Sequence, residues 1–257
     1  MQGRKSDNAE SAIKGAIKTT ESMRNEAISM VAFRENFLCA YFGDGRKATI
    51  ECLLADEACS RNFHLFLAEG YRRLGNLFYR NLCEECSACR PLRLESGKFR
   101  PSKSQKRTIK KNADIRLEIR CPSVTPEKIR LYKKYLSHKH HEEKEVLDYE
   151  IRLLNIHYGY PGTREMDYYF GSKLIGVGIV DEGCDSLSSN YFYYDTDYLG
   201  RRLGVYSILS EISFARLVRK KYYYLGFYIG EIPRMSYKKQ FRPNQVYENE
   251  EWKTFLS

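Results

Sequence analysis

Three thiols at two-residue gaps, Cys83, Cys86 and Cys89, form the grouping in this chain most suited to chemistry. C-x2-C-x2-C spacing lets thiolates from one tight turn converge on a tetrahedral metal, but a closed zinc site needs a fourth ligand. An iron–sulfur cluster uses the same ligand type, and a packed knuckle of reduced thiols is the plain alternative. Any metal here would be structural rather than catalytic. The chain has eight cysteines and no secretory signal, which argues for reduced thiols over a disulfide framework. Cys52, Cys59, Cys121 and Cys184 stand apart and read as small apolar residues.

The second grouping is cationic. Lys98 to Arg107 carries five cations and no acid, and Lys110, Lys111, Arg116 and Arg120 follow. Formal net charge is +10, from 43 Lys+Arg against 33 Asp+Glu, and this excess favours a polyanionic partner. Arg100, Lys103, Lys106 and Arg107 are the expected phosphate contacts. Arg201-Arg202-Leu203-Gly204 precedes a helical pattern, where free backbone N–H groups and two arginines suit an anion. Ser137-His138-Lys139-His140-His141 invites a metal reading, but a solvated helix end is the expectation.

The elements that must position these residues fall into two halves. Residues 1–30 read as a polar leader, helical around 21–31, with no apolar block for export. Phe37–Phe42 reads as a strand closed by Gly43-Asp44-Gly45, Ala48–Leu54 as a second strand, and Cys59–Leu67 as a helix ending at Gly70. Arg90–Leu94 leaves the thiol turn as a strand. Thr125-Pro126-Glu127 marks a helix start, with Thr as cap and Pro at the first position. Met166–Phe170 and Leu174–Asp181 form a hairpin, Asn190–Tyr194 a strand, Leu203–Val218 a helix and Tyr222–Ile229 a further strand. Tyrosine is abundant, at 21 residues against one tryptophan; most fit a mixed sheet, and a few suit stacking on an unpaired base. No apolar run is long enough to cross a bilayer, and the chain is expected to be cytoplasmic.

Several motifs together resemble the aminoacyl-tRNA–protein transferases, which move an amino acid from charged tRNA to a protein's α-amino group. They are Gly70-Tyr71-Arg72-Arg73-Leu74-Gly75, the thiol triplet, Phe99-Arg100-Pro101, Ser188-Ser189-Asn190-Tyr191, Leu203-Gly204-Val205-Tyr206-Ser207 through Glu211-Ile212, and Met235-Ser236-Tyr237-Lys238. The resemblance runs from about Phe37 to Val246. It implies an α+β fold: a small amino-terminal cysteine-containing domain (31–121) and a GNAT-like acyltransferase carboxyl-terminal domain (122–257). It also supplies Cys39 as the fourth thiol, since the family pairs an early cysteine motif with the later cluster.

Two branches of the family compete. The arginyl-transferring enzymes carry Cys-Gly-Tyr-Cys where this chain has Cys39-Ala40-Tyr41-Phe42. The bacterial aspartate/glutamate leucyltransferases carry the thiol triplet and Cys-Ser-Tyr-Leu-Pro-Gly-Arg, against Gly43-Asp44-Gly45-Arg46 here. Lys103 and Lys106 also stand where arginines are usual. Length and triplet favour the leucyl branch, with arginyl transfer as the alternative.

The implied reaction is attack of a neutral α-amine on the tRNA ester, which needs proton removal and an oxyanion stabiliser but no cofactor. The related leucyl/phenylalanyl enzymes use an Asp-x-Gln at the strand matching Tyr224–Ile229, and no carboxylate stands there. Asp195 is the candidate proton acceptor, with Asp197 beside it and a turn cap as the competing reading. Tyr228 and Tyr237 are candidate oxyanion donors. Arg46, Arg72 and Arg73 are expected to hold the carboxylate of an acceptor beginning with Asp or Glu, since a guanidinium pairs with carboxylate through two parallel hydrogen bonds. The expected partners are leucyl-tRNA and proteins marked for degradation by the added residue, with neither membrane nor DNA. The non-enzymatic alternative is a zinc-knuckle RNA-binding protein using residues 98–120.

Overall fold

The structure, a computed structural model, describes residues 31–54, 61–140 and 148–255. The leader at 1–30, Cys59 with the expected start of its helix, His141 and the side chain of His140 lie outside the described residues.

Alternating apolar and polar positions give a four-stranded antiparallel sheet from β1 (Ala32–Leu38), β2 (Lys47–Leu54), β3 (Arg72–Leu74) and β4 (Leu77–Asn81), in the order β1-β2-β4-β3. Helix α1 (Phe63–Ala68) buries Phe63, Phe66 and Leu67 against Leu53, Phe78 and Tyr160. The chain leaves it through Gly70 at φ +80°, where a Cβ would meet the Tyr247 ring at 2.6 Å, so only glycine permits that approach. The first strand ends at Leu38, short of the Phe37–Phe42 expected. Cys39 N–H donates to the Arg46 carbonyl at 2.9 Å and closes residues 39–46 into a loop carrying the expected Gly43-Asp44-Gly45 turn.

The second sheet has eight strands: β5 (Arg90–Glu95), β6 (Ile115–Arg120), β7 (Thr163–Phe170), β8 (Lys173–Glu182), β9 (Ser186–Tyr194), β10 (Tyr222–Tyr228), β11 (Gln245–Glu248) and β12 (Glu251–Thr254). Their order is β12-β11-β5-β10-β9-β8-β7-β6. The sheets thus divide at the thiol segment between Asn81 and Arg90, whereas the sequence reading drew its boundary at residue 121. The segment 90–121 contributes β5 and β6 to the larger sheet because β5 pairs with the distant β10 and β11. A mixed α/β architecture with two sheets results.

Three longer helices serve this sheet. Lys103–Lys111, read from sequence only as a basic run, is α2: Ser102 accepts from Gln105 N–H at 3.3 Å while the Gln105 side chain accepts from Ser102 N–H at 2.8 Å, a reciprocal cap. Helix α3 (Pro126–His140) starts as expected, with Lys128 N–H donating to the Thr125 hydroxyl at 3.3 Å, and packs Leu131, Tyr132 and Leu136 on one sheet face. Helix α4 (Leu203–Leu217) packs Leu203, Ile208, Leu209, Ile212 and Ala215 on the other.

One pairing shapes the candidate site. Strands β9 and β10 run parallel, as a crossover through α4 requires, but they pair only at Ser186–Ser188 against Tyr222–Tyr224. Beyond that, β9 stays with β8, while β10 shifts register at Gly226 and follows β5. The two strands splay into a wedge.

Candidate active site

Polar side chains fill that wedge. Arg72, buried on β3, donates to the Ser188 hydroxyl at 2.9 Å and to the Ser189 carbonyl. Lys238 enters from the short turn Tyr237–Gln240 and donates to the Phe227 carbonyl at 3.0 Å. Both cation tips converge on Gly226 (φ +82°): a Cβ there would stand 3.4 Å from Lys238 Nζ and 3.6 Å from an Arg72 terminal nitrogen. On the α4 side lies Glu211, with 0% exposure, accepting from Ser207 at 3.0 Å and from Tyr223 at 2.7 Å. Burial lifts the Glu211 carboxyl to about 7 despite those hydrogen bonds and the charge of Arg72. Burial, and next the Arg72 charge, lower the Lys238 ammonium to about 7 against the pull of Glu211. Burial thus shifts a carboxyl and an ammonium toward neutrality in one cluster, which makes it the candidate functional centre.

Glu211 and Lys238 were missed as site residues. Glu211 did leave a signal: it lies three residues after Ile208 and four before Ala215, inside the apolar stripe of α4, where an acid is out of place. Lys238 left none, since its approach to Arg72 depends on β3, more than 150 residues away in sequence.

The three arginines proposed for acceptor binding separate. Arg72 sits in the wedge. Arg73 is spent within the fold: it forms a two-pronged pair with Asp181, at 2.8 Å on both contacts, and donates to the carbonyls of Gly75 at 2.7 Å and His157 at 2.8 Å. Arg46 is exposed beside the thiols, held by Asp44 at 2.6 Å and lying over the Phe42 ring. The tyrosines also separate. Tyr237 lies close enough to Glu211 and Tyr194 that burial, then those neighbours, push its hydroxyl up to about 12. Tyr228 packs instead on Phe255 and under the Arg90 guanidinium.

Asp195 stands as a cap and ion-pair partner, the competing reading of that carboxylate. Its carboxylate meets Lys134 at 2.5 Å and Lys173 at 2.8 Å and accepts from Asp197 N–H at 3.1 Å. Burial raises its pKa, but the lysines and that N–H outweigh burial and hold it at about 2, leaving it a poor base near neutral pH.

Cys39, Cys83, Cys86 and Cys89 line one cavity of about 80 Å³ with Tyr41 and Arg46. The four thiols are thus brought together, and their chemistry suits a soft metal. Their positions do not: among the described residues no three His, Cys, Asp or Glu side chains converge on a point that could hold an ion. Burial, then the charges of Cys39, Cys83 and Cys86, push the Cys89 thiol up to about 12, a packed neutral thiol.

The basic residues form a separate surface. Arg100, Lys103, Lys106 and Arg107 are exposed at and along α2. Arg202, at φ +56° before α4, reaches α2 and donates to the Ser104 hydroxyl at 2.9 Å, so it joins that face. Arg201 is tied to Asp114 at 2.7 and 2.9 Å and lies over Phe170. Among the described residues no helix is long and apolar enough to cross a membrane.

Residues 37–107 match the family model described as arginine-tRNA-protein transferase, N terminus, and residues 127–248 match its C-terminus counterpart. An aspartate/glutamate leucyltransferase of Shewanella putrefaciens is 35% identical over 238 residues, covering 90% of this chain and 98% of that protein. One from Hahella chejuensis is 35% identical over 223 residues, covering 84% and 93%. Among solved structures, L-PGS from Bacillus licheniformis aligns with a TM-score of 0.41 at 11% identity, over 76% of this chain and 69% of that one. The chain belongs to the aminoacyl-tRNA–protein transferase family, a family of aminoacyltransferases.

Proposed function

We propose that this protein transfers leucine from leucyl-tRNA to the α-amine of proteins beginning with Asp or Glu. The observation that carries the reading is the near end-to-end correspondence with relatives named for that activity, at 35% identity and 98% coverage of the first. The wedge supports it. Parallel strands that part beyond Tyr224, with α4 crossing between them, support reading the carboxyl-terminal half as a GNAT-like acyltransferase core.

The ester is already activated, so positioning supplies much of the acceleration and the chemistry needs no cofactor. Arg72 supplies the fork that recognises a carboxylate. In this reading Tyr237, beside Glu211, donates to the oxyanion. The face built on α2 meets tRNA phosphates, remote from the carbonyl under attack. The product protein is marked for degradation, and the reaction is cytoplasmic.

Transfer assays with leucyl-, arginyl- and phenylalanyl-tRNA, and peptides starting with Asp, Glu, Asn or Ala, test the reading. Leucine should pass to Asp- and Glu-peptides ahead of the other combinations. Preferred use of arginyl-tRNA would move the protein to the other branch.

A further inference from the structure

Arg72 is a buried cation and Lys238 a half-buried one, and their hydrogen-bond partners are a hydroxyl and backbone carbonyls. Among the described residues neither forms an ion pair with a carboxylate. Buried charge without a counter-charge is costly, and the cost persists unless something offsets it. The charged groups around them do not. Glu211 acts on both from a distance while its oxygens are taken by Ser207 and Tyr223. Asp181 is neutralised by Arg73. Tyr79 and Tyr223 face Arg72 as neutral hydroxyls, since burial holds both pKa values up. With Lys238 and Glu211 both shifted toward 7, the three groups carry a net positive charge at and below neutral pH, the complement of a carboxylate.

The cation tips meet over Gly226, the residue whose missing side chain leaves the gap between them. Phe227, next in the chain and holding Lys238 through its carbonyl, lines a groove of about 580 Å³ between the two sheets, together with Cys89, Arg90 and Tyr247.

We propose that Arg72 and Lys238, meeting over Gly226, bind the side-chain carboxylate of the acceptor's first residue. Lys238 is the specificity-determining residue that the sequence did not reveal. The assignment rests on the transfer reading above and adds a feature to it: binding of the acidic acceptor is linked to protonation of Lys238. A bound carboxylate favours the ammonium form, so acceptor recognition weakens as pH rises through about 7.

The test compares kcat/KM for Asp- and Asn-initiated peptides with leucyl-tRNA across neutral pH. Both peptides share the same titrating α-amine, so their ratio isolates the carboxylate subsite. In the wild type the Asp-over-Asn ratio should fall as pH rises through about 7. Lys238→Arg, charged throughout, should keep the preference and flatten its pH dependence. Lys238→Met should cut the ratio by about thirtyfold or more. Calorimetric titration of the same peptides without tRNA gives a second readout, with circular dichroism confirming the fold of each variant. A folded Lys238→Met variant with undiminished Asp-over-Asn discrimination overturns the proposal. So does a variant that loses tRNA affinity while its peptide ratio holds, because the cradle would then serve a phosphate. If the wild type transfers leucine to no peptide but binds Asp-peptides through Lys238, the cradle stands and the transfer reading fails.

Discussion

Removing Arg73 separates support from recognition in the paired arginines. The Arg73 and Asp181 side chains are 2% and 1% exposed and meet through two 2.8 Å contacts. Breaking a buried pair by deleting one partner costs about 3–5 kcal/mol, because the other charge stays behind in a low-dielectric site. Here Asp181 would keep two donors, the Thr163 hydroxyl at 2.8 Å and the Asn190 amide at 2.9 Å, which argues for the lower end, about 3 kcal/mol. Arg73→Ala also strands the carbonyls of Gly75 and His157, so the loss should not fall below that figure. For a chain of this size the melting temperature should drop by about 6–12 °C. The assay is thermal unfolding followed by circular dichroism, with Asp181→Asn and the double variant completing a cycle. Arg72→Ala should instead act mainly on the Asp-over-Asn transfer ratio. A near-native melting point for Arg73→Ala, combined with lost acceptor preference, would refute this division of labour.

Four further outcomes follow from the geometry. Replacing Lys103, Lys106 and Arg107 with Gln should weaken tRNA binding and reduce the slope of log affinity against log salt by about 2–3; an unchanged slope excludes α2 as the contact face. Asp195 has a depressed folded pKa, so its contribution is present above the unfolded value of about 3.9 and disappears as pH falls toward about 2; Asp195→Asn should lose that acid-limb dependence in melting experiments and leave the neutral-pH transfer profile in shape. Glu211 has a raised folded pKa, so its contribution is present below about 4.3 and is lost as pH rises through about 7; Glu211→Gln should flatten wild-type melting temperatures over that window, and an unaltered curve would show that the carboxyl titrates normally. Cys89→Ser, within the thiol cavity, should lower the melting temperature more than Cys184→Ser on the surface, and equal effects would show that the cavity contributes nothing to packing.

Local patterns carried most of the elements. The hairpin β7–β8, strand β10 and helices α3 and α4 follow from alternation, periodicity and caps within a few residues, and each stands close to where those signals put it. Helix α2 escaped because eight of its nine residues are polar or charged, with Ile109 alone apolar; its reciprocal Ser102–Gln105 cap was the readable sign. The C-terminal hairpin β11–β12 and the short strand β3 draw their order from the sheet edges and neighbours they join, which no local window contains. The site divides the same way. Arg72 was legible as a guanidinium between glycines, but its difference from Arg73 depends on Asp181, more than a hundred residues away. Asp195 stands at a strand end in sequence, and only the approach of Lys134 and Lys173 turns it from a base into a cap. The thiols were legible as a cluster, while their failure to converge on a point is a matter of three-dimensional placement.

The most direct test is a single-turnover reaction of the purified protein with radiolabelled leucyl-tRNA and an Asp-initiated peptide, with an Asn-initiated peptide in parallel. Label should move to the α-amine of the Asp-peptide, with markedly less on the Asn-peptide. Label that stays on the tRNA with both peptides, in protein that binds the charged tRNA normally, would contradict the account.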